Sequence, residues 1–412
     1  MTATSLARLG WRNLWRNRRR TLLTLSAIAF GTFLAVFFTA TQDRNFADMI
    51  DVAARLNGGH VVIEHPEYLD TPNLTRSVTH TDEIRAQALQ DRDVERAVER
   101  ITGQAMLATA THNRGVMYIA YDPTAEDQQT LSFLEGIVEG ELGIDPKGVL
   151  LGRKLADGLG VEMGSKVVYT LMDKDGQIVS GMGRVAGIVA TGAESVDSGL
   201  MLLPIDTLRE VVGYGPHEAT MVGLFLDDSR RAGAVAGRLN GHLPDGVALT
   251  WSQAAPDLSG FIAMKVGGAR FMEMVVMVLV AAGIFNTLFM SVMERVREFG
   301  ILAAIGCSRR QLFGMVMWES AWLGLVGLVG AALVTAGPYW YLTKHGIDIS
   351  GAMGDAPLEI AGVGMSPILQ IGIYPENAVL IGVFTVTATL LAGLYPAWKA
   401  SRVAPVEAIR LV

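Results

Sequence analysis

Apolar residues run without interruption by charge over four stretches, 21–42, 274–293, 320–343 and 377–398, which are 22, 20, 24 and 22 residues long and rich in Leu, Val, Ala, Phe and Met. About 20 such residues cover the ~30 Å of a bilayer's hydrocarbon. Four runs of that length in one chain predict four membrane-spanning helices rather than buried helices of a soluble core. Between the first two runs the pattern changes. Residues 59–64 (GHVVIE) predict a strand, and 82–102 carry charged and apolar residues at helical spacing. Residues 167–172 and 177–189 flank Asp173, Lys174, Asp175 and Gly176, a strong turn signal that predicts a hairpin.

This pattern defines the expected fold class: a membrane protein with four transmembrane α-helices and a large mixed α/β extracytoplasmic domain between the first and second. The expected segments are an interfacial helix over 1–20, spans at 21–42, 266–293, 311–343 and 377–398, and the outer domain over 43–265. A cytoplasmic coupling helix and loop occupy 294–310, a second outer loop 344–376, and a cytoplasmic tail 399–412. In the first segment Leu6, Ala7, Trp11, Leu14 and Trp15 fall on one half of a helical wheel, with Arg8, Arg12, Arg16 and Arg19 on the other. Indoles at headgroup depth with guanidinium groups on anionic lipid are the expected arrangement. The first apolar run exceeds the usual ~7–15 residues of a signal-peptide core, and Thr39, Ala40 and Thr41 make a poor cleavage site, so it reads as a retained span.

Charge fixes the expected orientation. Basic residues gather before span one (Arg8 to Arg20), between spans two and three (Arg295, Arg297, Arg309, Arg310) and after span four (Lys399, Arg402, Arg410), whereas the loop between spans three and four holds Lys344 alone. The positive-inside rule then places both termini in the cytoplasm. Residues 43–265 hold 19 basic against 32 acidic side chains, and the rest of the chain 15 against 9. So acidic an outer domain argues against a nucleic-acid partner. The single cysteine, Cys307, excludes an intrachain disulfide or a cysteine metal cluster.

Candidate chemistry is sparse. The Asp173–Gly176 turn lacks the further acidic ligands of a calcium loop, and residues 160–166 (GVEMGSK) end in Gly-Ser-Lys where a phosphate-binding loop needs Gly-Lys-Ser/Thr. His60 and His65, five apart at a strand, point to opposite faces. No catalytic, cofactor-binding or metal-binding residue is assigned.

The most specific segment is 289–312, FMSVMERVREFGILAAIGCSRRQL, where the chain leaves span two, forms a short amphipathic helix and turns at Gly306 into span three. Arg295, Arg297 and Glu298 are expected to present charge to the cytosol, and Phe299, Ile301, Leu302 and Ile305 to lie against membrane or a protein groove. This segment resembles the signature of FtsX-like ABC permeases of the MacB and lipoprotein-releasing LolC/LolE type. Three other stretches resemble that family in the same order: LARLGWRNLWRNRRRTLLTLSAIAFG at the start, LLGRKLADGLGVEMGSKVV with MLLPIDTLREVVG in the outer domain, and LYPAWKASRVAPVEAIRLV at the end.

The resemblance implies a permease subunit that pairs with a second permease subunit, as a homo- or heterodimer, and binds a cytoplasmic ABC ATPase dimer that holds the ATP and Mg. It implies that Glu294, Arg295, Arg297, Glu298, Gly300, Ala304 and Gly306 couple the chain to that ATPase, and that the spans transmit force to the outer domains. The implied cargo is amphipathic, foremost a lipoprotein taken from the outer leaflet of a bacterial cytoplasmic membrane and passed to a periplasmic acceptor. MacB-type efflux of peptides or antibiotics, and activation of a cell-wall hydrolase without transport, are the alternatives.

Glu319, about 12 Å into the third span at 1.5 Å per residue, is expected to pair with a neighbouring helix or the elbow, or to snorkel to the interface. Gly324, Gly327 and Gly330 are candidates for close helix packing or a dimer seam. The long, apolar, glycine-rich loop 344–376 either lines an entrance for lipid-like cargo or caps the outer helix ends.

Overall fold

The computed structural model describes residues 3–16, 18–140, 145–348, 359–360, 363–364 and 368–402. They form two bodies. One comprises residues 1–45, 265–349 and 368–412, the other 46–264 and 350–367.

The first body is helical. An amphipathic helix, Ala3–Arg16, is followed by four long helices, Arg18–Asn57, Pro256–Met293, Arg309–His345 and Pro375–Ser401, of which residues 46–57 and 256–264 belong to the second body. Each is long and apolar enough to cross a membrane. They extend beyond the 21–42, 266–293, 311–343 and 377–398 expected from the apolar runs because hydrogen bonding continues through polar residues once a turn is nucleated. Their ends are set by local chemistry. Ser308 and Gln311 form a reciprocal capping box at the start of the third long helix, with Ser308 N donating to Gln311 Oε1 at 2.8 Å and Gln311 N to Ser308 Oγ at 3.3 Å. At the start of the fourth, the buried Asp43 carboxylate accepts from the backbone N–H of Tyr374 (3.1 Å) and from Asn377 Nδ2 (2.8 and 2.9 Å), tying the first long helix to the fourth.

Small residues set how closely the helices pack. A Cβ at Gly327 would meet Ile28 Cγ2 of the first long helix at 2.6 Å, and one at Gly393 would collide with Ser320 Oγ of the third. Thr32 and Thr385 hydrogen-bond across the first and fourth helices at 3.2 Å. The helix Ala3–Arg16 lies on the third long helix, where a Cβ at Gly10 would stand 3.1 Å from Trp318 Cβ, and Trp322 Nε1 donates to Ala7 O at 3.1 Å.

The second body is built on a ten-stranded sheet: β1 Val61–Glu64, β2 Val94–Ala108, β3 Asn113–Tyr121, β4 Ile137–Gly140, β5 Gly148–Gly152, β6 Lys166–Met172, β7 Ile178–Val189, β8 Leu200–Pro204, β9 Met221–Leu226 and β10 Val247–Thr250. The strand order is β10-β1-β9-β2-β3-β8-β5-β7-β4, with β6 paired to both β2 and β7. β3–β8 and β5–β7 are parallel, and the other pairs antiparallel. Helices α1 Thr81–Ala88, α2 Arg153–Leu159, α3 Ile205–Val212 and α4 Ala232–Leu239 bury apolar faces on it. One core gathers Ile63, Ile84, Leu224 and Val235, and another Leu151, Leu155, Tyr169 and Leu208. The mixed α/β expectation holds, as do the strand at 59–64 and the hairpin, whose Gly176 adopts φ 77°.

The helical expectation for 82–102 is overturned. A helix covers only Thr81–Ala88, and β2 takes over at Val94. The 3–4 spacing of Val94, Ala97, Val98 and Ile101 imitates a helix because charged residues separate them. In the fold two of those charges are themselves buried: Arg100 donates to Glu126 at 2.6 Å and to Thr130 O at 2.7 Å, and Glu99 pairs with Arg85 and Arg209. Of the loop 344–376, Ile347–Asp348 pairs with Ile368–Leu369 and Glu359–Ile360 with Val363–Gly364. Its remaining glycine-rich part, and the tail beyond Arg402 including Arg410, lie outside the described residues.

Candidate functional site: the elbow and its ion-pair chain

Met293 ends the second long helix, and a separate nine-residue elbow helix, Val296–Ala304, follows it. Its inner face is apolar. Phe299 is fully buried with Val292, Leu312, Met315, Val316, Ala397 and Ala400, which brings the second, third and fourth long helices together behind the elbow. Gly300 is buried beside it. The chain then reverses at Gly306, whose φ of 103° lies where a side chain is strained, although no atom stands within 4 Å of a Cβ built there.

On the outer face, Glu294, Arg297, Ile301, Ala304, Ile305 and Gly306 are exposed, Ile305 to 77%. Arg297, Ile301 and Ala304 or Ile305 recur every three or four residues and form one stripe. Ile301 and Ile305 thus occupy the outside, while Phe299 turns inward and Leu302 packs partly into the core.

Arg295 corrects the expectation that it presents charge to the cytosol, because it is buried. Its Nη1 donates to both carboxylate oxygens of Glu319 at 2.8 Å, its Nε donates to Glu298 Oε2 at 3.0 Å, and its guanidinium lies 5.4 Å from the Phe299 ring centroid. Burying a carboxylate is costly unless a cation and hydrogen-bond donors meet it, and Arg295 supplies both. Glu298 also pairs with Arg16 of the first, amphipathic helix. Arg20, at the start of the first long helix, donates to Ser291 O at 3.2 Å and stands 3.7 Å from Glu319 Oε1. Arg16, Glu298, Arg295, Glu319 and Arg20 therefore alternate in sign along one chain of contacts. Burial works against the charged form of Glu298, and hydrogen bonds from Arg295 and Arg16 outweigh it, holding its carboxyl below the usual carboxylate range.

Glu319 is thus paired with the elbow, one of the arrangements its sequence position left open. Arg20 and Ser291 were missed: only the arginine cluster before the first span hinted at the former, and nothing marked the latter. Gly324 faces Thr389 of the fourth long helix (3.4 Å from a built Cβ), Gly327 faces Ile28, and Gly330 meets Ala29 of the first only at 3.8 Å. Among the three, only Gly327 lacks room for a side chain. Trp11 and Trp15 are partly exposed and meet edge-on at 5.9 Å, and Trp11 packs on Trp322 at 5.1 Å. Arg8, Arg12 and Arg16 are exposed.

Two family models match this chain. The MacB-like periplasmic core domain covers residues 21–241, and the FtsX-like permease C-terminal domain covers 271–405. Among curated proteins, the chain is 25% identical over 346 residues to a lipoprotein-releasing system transmembrane protein LolC of Xylella fastidiosa, spanning 79% of this chain and 80% of that one. It is 21% identical over 361 residues to a LolE protein of Haemophilus influenzae, spanning 84% and 85%. Among solved structures, the periplasmic region of MacB from Actinobacillus actinomycetemcomitans matches with a TM-score of 0.34 and 12% identity, over 49% of this chain and 94% of that one.

Proposed function

The chain belongs to the FtsX-like, MacB-type family of ABC transporter permeases, and on that premise we propose that it couples ATP hydrolysis by a separate ATPase to extraction of a lipoprotein. In this reading two permease subunits pair, identical or related, and the ATPase dimer beneath them holds ATP and Mg. The membrane is the bacterial cytoplasmic membrane, with both termini in the cytoplasm. The acidic outer domain receives cargo from the outer leaflet and passes it to a periplasmic acceptor.

The observation that carries the coupling is the two-sided elbow. A rigid inner face, fixed by Phe299 and the Arg295–Glu319 pair, backs an outer stripe of Arg297, Ile301, Ala304 and Ile305. An apolar stripe with a basic rim is chemistry suited to a groove on a protein partner, and the rigid backing passes displacement to three long helices at once. Glu294 and Gly306 flank the stripe, Gly306 by setting the turn. Glu298, Arg295 and Gly300 act behind it, as supports rather than contacts. The cargo reading rests on the lipoprotein-releasing relatives, each aligned along most of both chains.

Two measurements test this reading. Replacing Ile301 and Ile305 together with Asp should abolish co-purification of the ATPase from the native membrane, and a complex that still assembles and hydrolyses ATP in response to cargo would overturn the elbow's role. Mass spectrometry of what stays bound after gentle solubilisation should find an acylated protein, and its consistent absence would overturn the cargo.

A further inference from the structure

Strand β1 turns its two faces to different environments. Val61 and Ile63 point into an apolar core. Val62 and Glu64, one step out of phase, line a cavity of about 890 Å³ on the opposite side. That volume lies within the range of small-molecule sites. The walls are mainly apolar, with Leu69, Met117, Phe133 and Met221 among them, and methionine side chains adapt readily to the shape of a guest.

Two of the polar groups on the walls are firmly engaged. Tyr68 donates to Thr102 O at 3.1 Å, and Arg100 is held by Glu126 and Thr130. Glu64 is 4% exposed, and its Oε1 has no hydrogen-bond partner among the described residues. A buried carboxylate without donors is costly to the fold. Glu64 thus supplies an acceptor, and under ionising conditions a negative charge, to a mainly apolar chamber. Burial raises its pKa from 4.5 to about 7, so near neutrality the ionised form is within reach.

We propose that this cavity is a binding site for a hydrophobic amine, a compact apolar body carrying one protonated nitrogen that donates to Glu64. A protonated amine provides both what the carboxylate lacks, a donor and a countercharge, while its body displaces water from the apolar walls. A neutral alcohol provides only the donor, and a carboxylate ligand provides neither. The site is independent of the elbow and of any coupling to ATP.

The test uses the full chain in lipid nanodiscs at neutral pH, with empty nanodiscs as the baseline. The probes are 1-adamantylamine, 1-adamantanol and 1-adamantanecarboxylate, similar in shape and different in charge, followed by calorimetry and ligand-observed NMR. The amine should bind at least about tenfold more tightly than the alcohol, a ratio corresponding to ~1.4 kcal/mol, and the carboxylate most weakly. Glu64→Gln should remove the preference for the amine. Met117→Trp, at a partly exposed wall position that leaves Glu64 in place, should weaken both amine and alcohol. Equal binding of all three probes, binding of none, or an amine preference that survives in E64Q would overturn the proposal.

Discussion

At the scale of single residues, Arg295 and Glu319 are both buried and paired with each other. Removing Glu319 leaves Arg295 buried with Glu298 alone, and an uncompensated buried charge costs up to about 3–5 kcal/mol, whereas replacing both partners of a buried pair with apolar residues of similar size is often neutral. Glu319→Ala should therefore lower thermal stability of the solubilised chain sharply, and Arg295→Met with Glu319→Leu should recover most of the loss. Failure of the double variant to recover would show that the pair contributes more than mutual neutralisation. Glu64 has the opposite character. Its raised pKa means that the folded chain prefers the protonated form, so stability is fullest below the ordinary value of 4.5 and falls as pH rises towards about 7. Glu64→Gln should flatten that fall in unfolding midpoints taken from pH 4.5 to 8, and an unchanged slope would assign the titration to another group. Neither residue announced its environment in sequence: Glu319 stood out as a carboxylate in an apolar run, but its partner lies 24 positions away, and Glu64 looked like the polar end of a strand.

At the scale of elements, the long helices were legible because a bilayer allows few ways to satisfy the backbone, so length and apolarity suffice to mark them. The strand at 94–108 was not, since a chain that buries its charges in ion pairs no longer alternates in a readable way. The elbow helix was legible in position, but which of its charges faced inward was not, because Arg295 is oriented by a carboxylate on a different helix. Gly306 offers an element-scale test. Ala at this position meets no obstacle in space yet is strained at φ 103°, so Gly306→Ala should displace the start of the third long helix and reduce coupling between ATP hydrolysis and cargo release, with a smaller effect on folding. Gly327→Leu should act conversely, through collision with Ile28, and lower stability outright. Measuring melting temperature and coupled hydrolysis for both variants separates the two effects, and matching profiles would refute the distinction.

At the scale of the whole molecule, charge and apolar runs together predict which segments face which compartment. With Cys307 replaced by Ala, a cysteine at Asp175 in the outer hairpin should react with a membrane-impermeant maleimide in intact spheroplasts, and one at Arg309 only after the membrane is opened. Reaction of Arg309→Cys in sealed spheroplasts would invert the topology and remove the basis for an ATPase at the elbow. The acidic balance of 43–265 was also plain in sequence. The cavity beside β1 was not, since Leu56 and Leu258, some 200 positions apart, both line it.

Cys307, partly buried between Gly306 and the capping residue Ser308, is the chain's single thiol. It is a single attachment point at the turn that follows the elbow helix. On the proposed coupling, a small environment-sensitive fluorophore or spin probe attached there should change its signal when nucleotide binds the partner ATPase, and an unchanged signal would count against that coupling.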